Sequence, residues 1–391
     1  MKIIILAMYF PPVNMIGAVR PYQIAKYLAK QGYDVTVITS YSDNYQSKDY
    51  EVDISGIKII NLPSNYFYSI LQPLNVNVKL NNVLKAIFRS FIYPDFNMIK
   101  NQQFMNALNE YVYNEGVPDY IISMGLPFSL HVVAHQFKKK YNSVKWVADN
   151  RDLWAKSVFR KTPNFLRFKD VLYEKKVLKS ADVVLVVTES MKKTLKSYLN
   201  NNIEVILNGY ELKDVNNNIS NNDNGDIVYA GTLYKGLRDM NPLFIALKNI
   251  NYKGKIVFYG SEKNIVEDYM EKYATLNIAM VNKVSKSEIE KIMNNAKYLV
   301  VALGNTNFEK GVLTGKLFDY VRSRRVIIAL CDKDSELAFT VNKFKLGVAT
   351  RDPFEIEKFM NLNRSFVNPI VPELSIDTQL EKLLKILKEL K

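Results

Sequence analysis

The sequence predicts an α/β protein with two doubly wound parallel sheets, one in each half of the chain. Short apolar runs alternate with helical patterns from one end to the other, which is typical of βα units around parallel strands. The alternation breaks once, at the Asn-rich stretch 215–225, and then restarts. The run 183–187 is apolar at every position, as expected for a strand covered on both faces.

Segments rich in β-branched and aromatic residues are the predicted strands. They are 2–9, 34–39, 57–62, 120–124, 145–148 and 182–188 in the first half, and 226–230, 255–259, 278–281, 298–303, 326–330 and 347–350 in the second. Helical patterns lie between them, for example at 21–30, 128–141 and 166–180. Ser285 and Glu288 form a capping box, which predicts a helix running to Asn295.

These elements predict an N-terminal domain at 1–208, a linker at 209–225 and a C-terminal domain at 226–370. The last residues, 371–391, contain an amphipathic helix with lysines opposite its leucines, and we expect it to pack back on the N-terminal domain. Ligands of doubly wound sheets bind outside the carboxyl ends of the strands, so we expect a cleft that both domains face.

The composition limits the classes of partner that the protein can be expected to bind. A formal net charge of +14 favours a polyanionic partner, but no zinc-finger, basic-zipper or ribonucleoprotein pattern is present, so we predict no nucleic acid. Two histidines and one cysteine argue against a zinc site, and Cys331, at the end of a buried strand, is predicted to be a core residue. Without an apolar run near 18 residues or a signal-peptide pattern, we expect a cytoplasmic protein.

Residues 64–104 interrupt the βα pattern with aromatic side chains among cations, such as Phe88 and Phe91 beside Lys85 and Arg89. This composition suits an anionic membrane surface, where rings enter the interface and cations meet lipid headgroups. An insertion that packs on its own domain explains it equally well.

A candidate phosphate site lies at Gly315 and Lys316. A helix that starts with a small residue and a lysine presents backbone N–H groups and a positive dipole to an anion. Asp319, further along this helix, can accept a sugar hydroxyl. The alternative is a surface ion pair between Lys316 and Asp319, which lie three residues apart.

A second candidate follows the first strand of the C-terminal half. That strand ends at Gly231, and Lys235 and Arg238 precede a helix whose expected N-cap is Asp239. Arginine in this phosphate-binding position can hold a diphosphate through two hydrogen bonds.

The third candidate, 149–154, follows a predicted strand and contains Asp149, Arg151, Asp152 and Trp154. Carboxylates accept sugar hydroxyls, and a tryptophan face packs on a sugar ring. The alternative is an internal ion pair of Arg151 with one of the two aspartates.

Three further residues stand near predicted strand ends. Gly17 lets a substrate approach the backbone or simply forms a turn, and Arg20 can reach an anion. His131, on the first turn of a helix, either faces the cleft or is structural. The loop after the first strand has no Gly-x-Gly-x-x-Gly pattern, so a nicotinamide dinucleotide site has no support.

In this order the motifs resemble the retaining glycosyltransferases of family 4, in the surface-polysaccharide branch, over nearly the full chain. The matching stretches are 9–12 with Gly17 and Arg20, 22–39, the Pro-x-Ser-x-His pattern at 127–131, and the Asp-x-Arg-Asp-x-Trp pattern at 149–154. In the last pattern Asn150 replaces the usual phenylalanine. The resemblance implies the GT-B fold, with two Rossmann-like domains.

The resemblance also implies transfer of a sugar from a nucleotide diphosphate sugar, for which we expect a UDP-sugar, with retained anomeric configuration. It implies no cofactor and no metal, since Arg238 and Lys316 would neutralise the leaving diphosphate. The family's two glutamates, eight positions apart, fall on Gly311 and Asp319. One acid is therefore missing and the other is shortened by one methylene.

The implied roles divide the candidate residues into four groups. They are catalytic His131, Asp149, Arg151 and Asp152; donor-diphosphate ligands Gly17, Arg238, Gly315 and Lys316; the donor-ribose ligand Asp319; and acceptor ligands Arg20 and Trp154. The expected acceptor is a glycan or a polyprenyl-diphosphate-linked glycan, and the basic excess fits an enzyme peripheral on the inner face of the plasma membrane. Two alternatives stay open: a nucleotide-sugar epimerase or hydrolase of the same fold, and a catalytically silent nucleotide-sugar-binding protein.

Overall fold

Strands that are apolar on both faces form two separate parallel sheets, as predicted. The computed structural model describes residues 1–13, 15–40, 52–63, 93–157, 164–215, 225–233, 236–362 and 367–390. Most of the segment 64–104, most of the linker 209–225, and Lys235 therefore lie outside the described residues.

The first sheet and its helices are formed by β1 Lys2–Leu6, α1 Ile16–Lys30, β2 Asp34–Thr39, β3 Ile57–Asn61, α2 Asn101–Glu115, β4 Tyr120–Gly125, α3 Ser129–Lys140, β5 Lys145–Asn150, α4 Asn164–Leu178, β6 Val183–Val186, α5 Glu189–Lys196 and β7 Ile203–Val205. Its strand order is β3-β2-β1-β4-β5-β6-β7. Every predicted strand of this half is present, and the short edge strand β7 was not predicted. Helix α1 begins at Ile16, five residues earlier than predicted, so Pro21 lies inside it as its sixth residue.

The second sheet and its helices are formed by β8 Ile227–Ala230, α6 Asn241–Asn249, β9 Ile256–Tyr259, α7 Lys263–Lys272, β10 Ile278–Val281, α8 Lys286–Asn295, β11 Tyr298–Ala302, α9 Asn307–Lys310, α10 Gly315–Ser323, β12 Val326–Leu330, α11 Glu336–Lys343, β13 Gly347–Ala349 and α12 Pro353–Leu362. The strand order is β10-β9-β8-β11-β12-β13. Ser285 caps α8 as predicted, accepting a hydrogen bond from the Glu288 N–H. In both sheets the order reverses beside the first strand, which is where doubly wound proteins bind ligands.

Successive strand residues of the second sheet enter opposite cores. Tyr229 and Ile328 pack in the cluster on one face, whereas Val228 and Ile327 pack in the cluster on the other. Strands buried in this way need helices on both faces. Cys331, directly after β12, is buried as predicted, and burial raises the pKa of its thiol.

The chain divides into two compact units. The N-terminal unit comprises Met1–Val187, Met191–Ile206 and Leu380–Lys391, and the C-terminal unit comprises Thr188–Ser190 and Leu207–Gln379. The last helix, α13 Ile376–Glu389, thus gives most of its length to the N-terminal unit, where the Tyr120 hydroxyl donates to the Leu387 carbonyl at 2.7 Å. This confirms that the C-terminal helix packs on the first sheet's unit. None of the described helices has the length and apolar character that crossing a membrane requires.

Candidate functional site

Two neighbouring strands separate at the carboxyl edge of the second sheet. Strands β8 and β11 pair over two residues each, and then the Tyr320 hydroxyl stands between them. It donates to the Val300 carbonyl at 3.2 Å and accepts from the Ala230 N–H at 3.3 Å. Full burial raises the pKa of this phenol well above its usual value, so it stays neutral and acts as a fixed bridge.

Helix α10 begins at this split without a side-chain cap. Its N-cap residue, Thr314, has extended backbone, and its buried hydroxyl has no partner among the described residues. A Cβ built on Gly315 would meet no heavy atom within 4 Å, so the space over the first turn is open. An uncapped helix start beside open space is suited to an anion.

Lys316 places its ammonium beside the end of β8. The Nζ atom lies 4.2 Å from the centroid of the Tyr229 ring, a cation–π contact. Gly231 has φ +105°, so its backbone conformation favours glycine, and a Cβ there would lie 2.9 Å from Lys316 Cε and would displace the end of the lysine side chain. Burial and the nearby Arg238 lower the Lys316 pKa to about 7. Among the described residues the ion-pair partner of Asp319 is Arg322, so the alternative pair of Lys316 with Asp319 is not formed.

Arg238 belongs to the same cationic group and contacts an acid that the sequence did not single out. Its Nη2 lies 3.7 Å from Glu309 Oε1, and the Glu309 Oε2 accepts the Gly304 N–H at 2.7 Å. Glu309 is buried on the short helix α9, two residues before Gly311, where the family acid is missing. The signal in the sequence was weak, because a lone acid near the loop has no spacing that ties it to Arg238.

Asp319 lies on α10, and its side chain is 54% exposed. Its nearest cation is Arg322, at 3.9 Å, and Arg322 pairs more closely with Glu290, at 2.9 Å. Loss of hydration raises the Asp319 pKa, while Arg322 acts in the opposite direction. The half-exposed carboxylate can accept hydrogen bonds from a ligand.

Asp239 is not the N-cap of α6, as predicted, but the residue before it, because the N-cap is Met240. Its carboxylate still accepts a backbone hydrogen bond at the helix start, from the Asn241 N–H at 2.9 Å.

In the N-terminal unit a buried ion pair joins two of the predicted site residues. Arg20 Nε and Nη2 donate to the two carboxylate oxygens of Asp149 at 2.7 and 2.9 Å, and Nη2 also reaches the Ile206 carbonyl at 3.1 Å. Both side chains are buried. The partner of Asp149 is therefore Arg20 and not Arg151, and this pairing ties α1 to the end of β5.

His131 lies in a buried chain of hydrogen bonds. The Asn150 side-chain oxygen can only accept, so His131 Nε2 donates to it at 2.6 Å. His131 Nδ1 then accepts from the Ser123 hydroxyl at 2.7 Å, and the Trp146 indole N–H donates to that hydroxyl at 2.8 Å. Burial lowers the His131 pKa to about 4, which keeps the ring neutral. Both ring nitrogens are occupied, so the geometry favours the structural alternative for this histidine.

The rest of the 149–154 stretch separates into buried and accessible residues. Trp154 is buried and stacks on Phe128, with ring centroids 5.1 Å apart, so in this structure its face packs on protein. Arg151 and Asp152 are partly exposed and 3.8 Å apart, and Arg151 donates to the Ile16 carbonyl. Gly17 lies beside Ile16 in the first turn of α1.

The structure thus brings Gly315, Lys316 and Arg238 together around one uncapped helix start, with Asp319 on the same helix. In the other unit it buries Arg20, Asp149, His131 and Trp154 and leaves Arg151 and Asp152 accessible. The first group combines two cations with an uncapped helix start, an arrangement that is suited to a phosphorylated ligand. The buried members of the second group can hold a loop in place.

Comparison with known proteins identifies related sequences and folds. A family model described as Glycosyltransferase Family 4 matches residues 17–214. No curated protein matches the sequence.

Several solved structures share the whole fold. Sucrose-phosphate synthase from Thermosynechococcus elongatus aligns with a TM-score of 0.66 and 15% identity over 100% of this chain and 98% of that chain. A glycosyltransferase from Rickettsia africae ESF-5 aligns with a TM-score of 0.60 and 13% identity over 100% of this chain and 98% of that chain. The structure described as trehalose-6-phosphate from E. coli bound with UDP-2-fluoro glucose aligns with a TM-score of 0.54 and 12% identity over 100% of this chain and 96% of that chain. The predicted two-domain GT-B fold is confirmed.

The buried ion pair predicts a large stability effect. Asp149→Ala leaves the Arg20 guanidinium buried without a counter-charge, so we expect the free energy of unfolding to fall by about 3–5 kcal/mol. The combined change Arg20→Met with Asp149→Leu should cost much less. Both tryptophans, Trp146 and Trp154, lie in the N-terminal unit, so fluorescence-detected urea unfolding measures this unit. The control is Lys58→Ala, which removes an exposed pair; an Asp149→Ala loss as small as the control's would contradict the prediction.

The neutral histidine predicts an acid-sensitive unit. The folded His131 pKa of about 4 lies below the ordinary histidine value of 6.5, so the unfolded chain binds the extra proton first and stability falls as pH drops from about 6.5 to 4. This group contributes on the order of 3 kcal/mol across that range. His131→Gln should flatten the pH dependence of unfolding, whereas His135→Gln, at the other histidine, should retain most of it. Equal pH profiles for wild type and His131→Gln would refute the assignment.

Proposed function

The chain belongs to glycosyltransferase family 4, and we propose that it moves a sugar from a UDP-sugar to a glycan acceptor with retention of anomeric configuration. The observation that carries the proposal is the pair of cations, Lys316 and Arg238, at the uncapped start of α10. The glycosyltransferase family and fold support the reaction class. The E. coli structure that aligns with the chain is bound with a UDP-sugar analogue, which supports the choice of donor.

The donor diphosphate would lie against the first turn of α10. Its charge would meet the backbone N–H groups of that turn, the Lys316 ammonium and the Arg238 guanidinium. Glu309 would hold Arg238 in position and reduce the cost of burying it, because the carboxylate is itself anchored by the Gly304 N–H. Asp319, half-exposed on the same helix, would accept a ribose hydroxyl.

The reaction needs no enzymic nucleophile in this proposal. The acceptor hydroxyl attacks the anomeric carbon on the face from which the diphosphate departs, and a phosphate oxygen of the leaving group takes the hydroxyl proton. One carbon–oxygen bond breaks, the glycosidic bond forms, and UDP is released. Negative charge grows on the diphosphate in the transition state, so Lys316 and Arg238 would stabilise that state most.

Residues of the N-terminal unit would then act in two ways. We assign Arg20, Asp149, His131 and Trp154 to positioning, because their polar or aromatic groups are bound inside the protein. The accessible pair Arg151 and Asp152 would contact the acceptor. The buried residues would hold this pair at the end of β5.

The acceptor would be attached to a polyprenyl diphosphate carrier at the inner face of the plasma membrane. The net charge of +14 supports an anionic surface as a partner. An epimerase or hydrolase, or a silent binding protein, would use the same donor site, and the missing acid at Gly311 favours the silent protein among these. Product analysis separates them, because only a transferase makes a glycosidic bond to the acceptor.

Donor hydrolysis tests the proposal directly. Purified protein incubated with a panel of nucleotide sugars should release nucleoside diphosphate slowly from one UDP-sugar. Arg238→Ala should weaken binding of that UDP-sugar by about 10- to 100-fold, because it removes a charged group that donates hydrogen bonds. The matched control is Lys263→Ala, which removes an exposed lysine of the same unit paired with Glu267. Absence of both hydrolysis and calorimetric nucleotide binding would sink the proposal.

The lowered Lys316 pKa predicts pH-dependent donor binding. A bound diphosphate favours the charged ammonium, so binding requires proton uptake once the pH exceeds the free-state pKa of about 7. The dissociation constant of an unhydrolysable donor analogue should rise by up to about tenfold per pH unit above 7. Lys316→Arg, which stays charged, should bind with little pH dependence. If calorimetry finds that the dissociation constant changes with pH equally in wild type and Lys316→Arg, this lysine is not the titrating group.

A further inference from the structure

The exposed face of α4 carries only apolar and positively charged side chains. Phe168 and Leu172 are 68% and 49% exposed. The exposed lysines of this helix and the turn that follows it are Lys169, Lys175, Lys176 and Lys179. The two acids of the helix, Asp170 and Glu174, are 2% and 0% exposed and face the protein. The helix therefore presents no carboxylate to solvent in its described part.

The apolar and basic residues share one stripe. Phe168, Leu172, Lys175 and Lys179 follow each other at spacings of four, three and four, so their side chains lie along the same side of the helix. Phe168 and Leu172 occupy the N-terminal part of the stripe and the lysines the C-terminal part. Large apolar side chains beside cations on a helix surface suit the headgroup boundary of an anionic bilayer.

The positive surface continues onto the neighbouring helix α3. His135 of α3 is hydrogen-bonded to Ser180 after α4, and its pKa is lowered first by burial and then by the charges of Lys139 and Lys176, which therefore lie near each other. Lys139 and Lys140 are exposed at the end of α3. The acid at this end, Asp182, is paired with Lys138 at 3.0 Å. We name the two residues Phe168 and Leu172, with the exposed lysines of α3 and α4, the α4 face.

We propose that the α4 face docks the N-terminal unit onto a bilayer containing anionic phospholipid. Charge complementarity selects this partner: each lysine near an anionic bilayer strengthens binding about fivefold, and the apolar pair enters the interface. The proposal places the membrane contact on described residues outside the segment 64–104. The docking proposal rests on the proposed function in one respect: an acceptor held in the membrane would explain why the protein binds there.

Vesicle flotation tests the docking. Full-length protein should bind phosphatidylcholine vesicles that contain phosphatidylglycerol, and not pure phosphatidylcholine vesicles, with binding that weakens as salt rises. Lys175→Gln with Lys179→Gln should lower the partition coefficient about 30-fold. Phe168→Ser with Leu172→Ser should lower it at least about tenfold.

The matched control lies on α12 of the other unit, where Phe354 and Lys358 are also exposed and four residues apart. Phe354→Ser with Lys358→Gln should leave vesicle binding unchanged. Unchanged binding by both α4 variants, which would place the contact elsewhere, overturns the proposal. So does wild-type binding to duplex DNA without binding to anionic vesicles. Donor hydrolysis by the wild-type protein separates the two proposals. Wild-type hydrolysis without binding to anionic vesicles overturns docking alone, and wild-type vesicle binding without hydrolysis overturns the reaction alone.

Discussion

Burial of parallel strands on both faces is the constraint on which the rest of the structure depends. Because helices cover both sides of each sheet, polar groups gather where the strands end and the helices begin. At the second sheet the strands β8 and β11 separate, and a neutral tyrosine hydroxyl takes over the backbone hydrogen bonds that the split leaves open. The cationic site follows from that opening, since α10 starts beside it without a cap.

The two units use charge in opposite ways. In the N-terminal unit Arg20 and Asp149 neutralise each other inside the protein and fix the end of β5. In the C-terminal unit burial and the nearby Arg238 disfavour charge on Lys316, and Glu309 pairs only with the arginine. A surplus of positive charge held under partial burial makes a site that gains most from an anionic ligand.

The fold was predictable because apolar periodicity and turn signals are local, and they placed every strand except the three-residue β7. Lys316 was also predictable, since a lysine beside a glycine at a helix start is a local signal. The Arg20–Asp149 pair was not, because its partners lie 129 positions apart and a sequence shows only near neighbours. For the same reason the sequence left Arg151 open to pairing with either Asp149 or Asp152, left His131 open between a cleft-facing and a structural role, and gave no sign that Trp154 is buried.

The lone thiol of the chain has a practical consequence. Cys331 is 1% exposed, so thiol-reactive probes have almost no access to it in the folded protein, and its raised pKa keeps the less reactive protonated form. A second cysteine introduced at any accessible position would therefore be labelled selectively without removing the native one. Fluorophores or spin labels could then report on each unit separately in an otherwise unaltered chain.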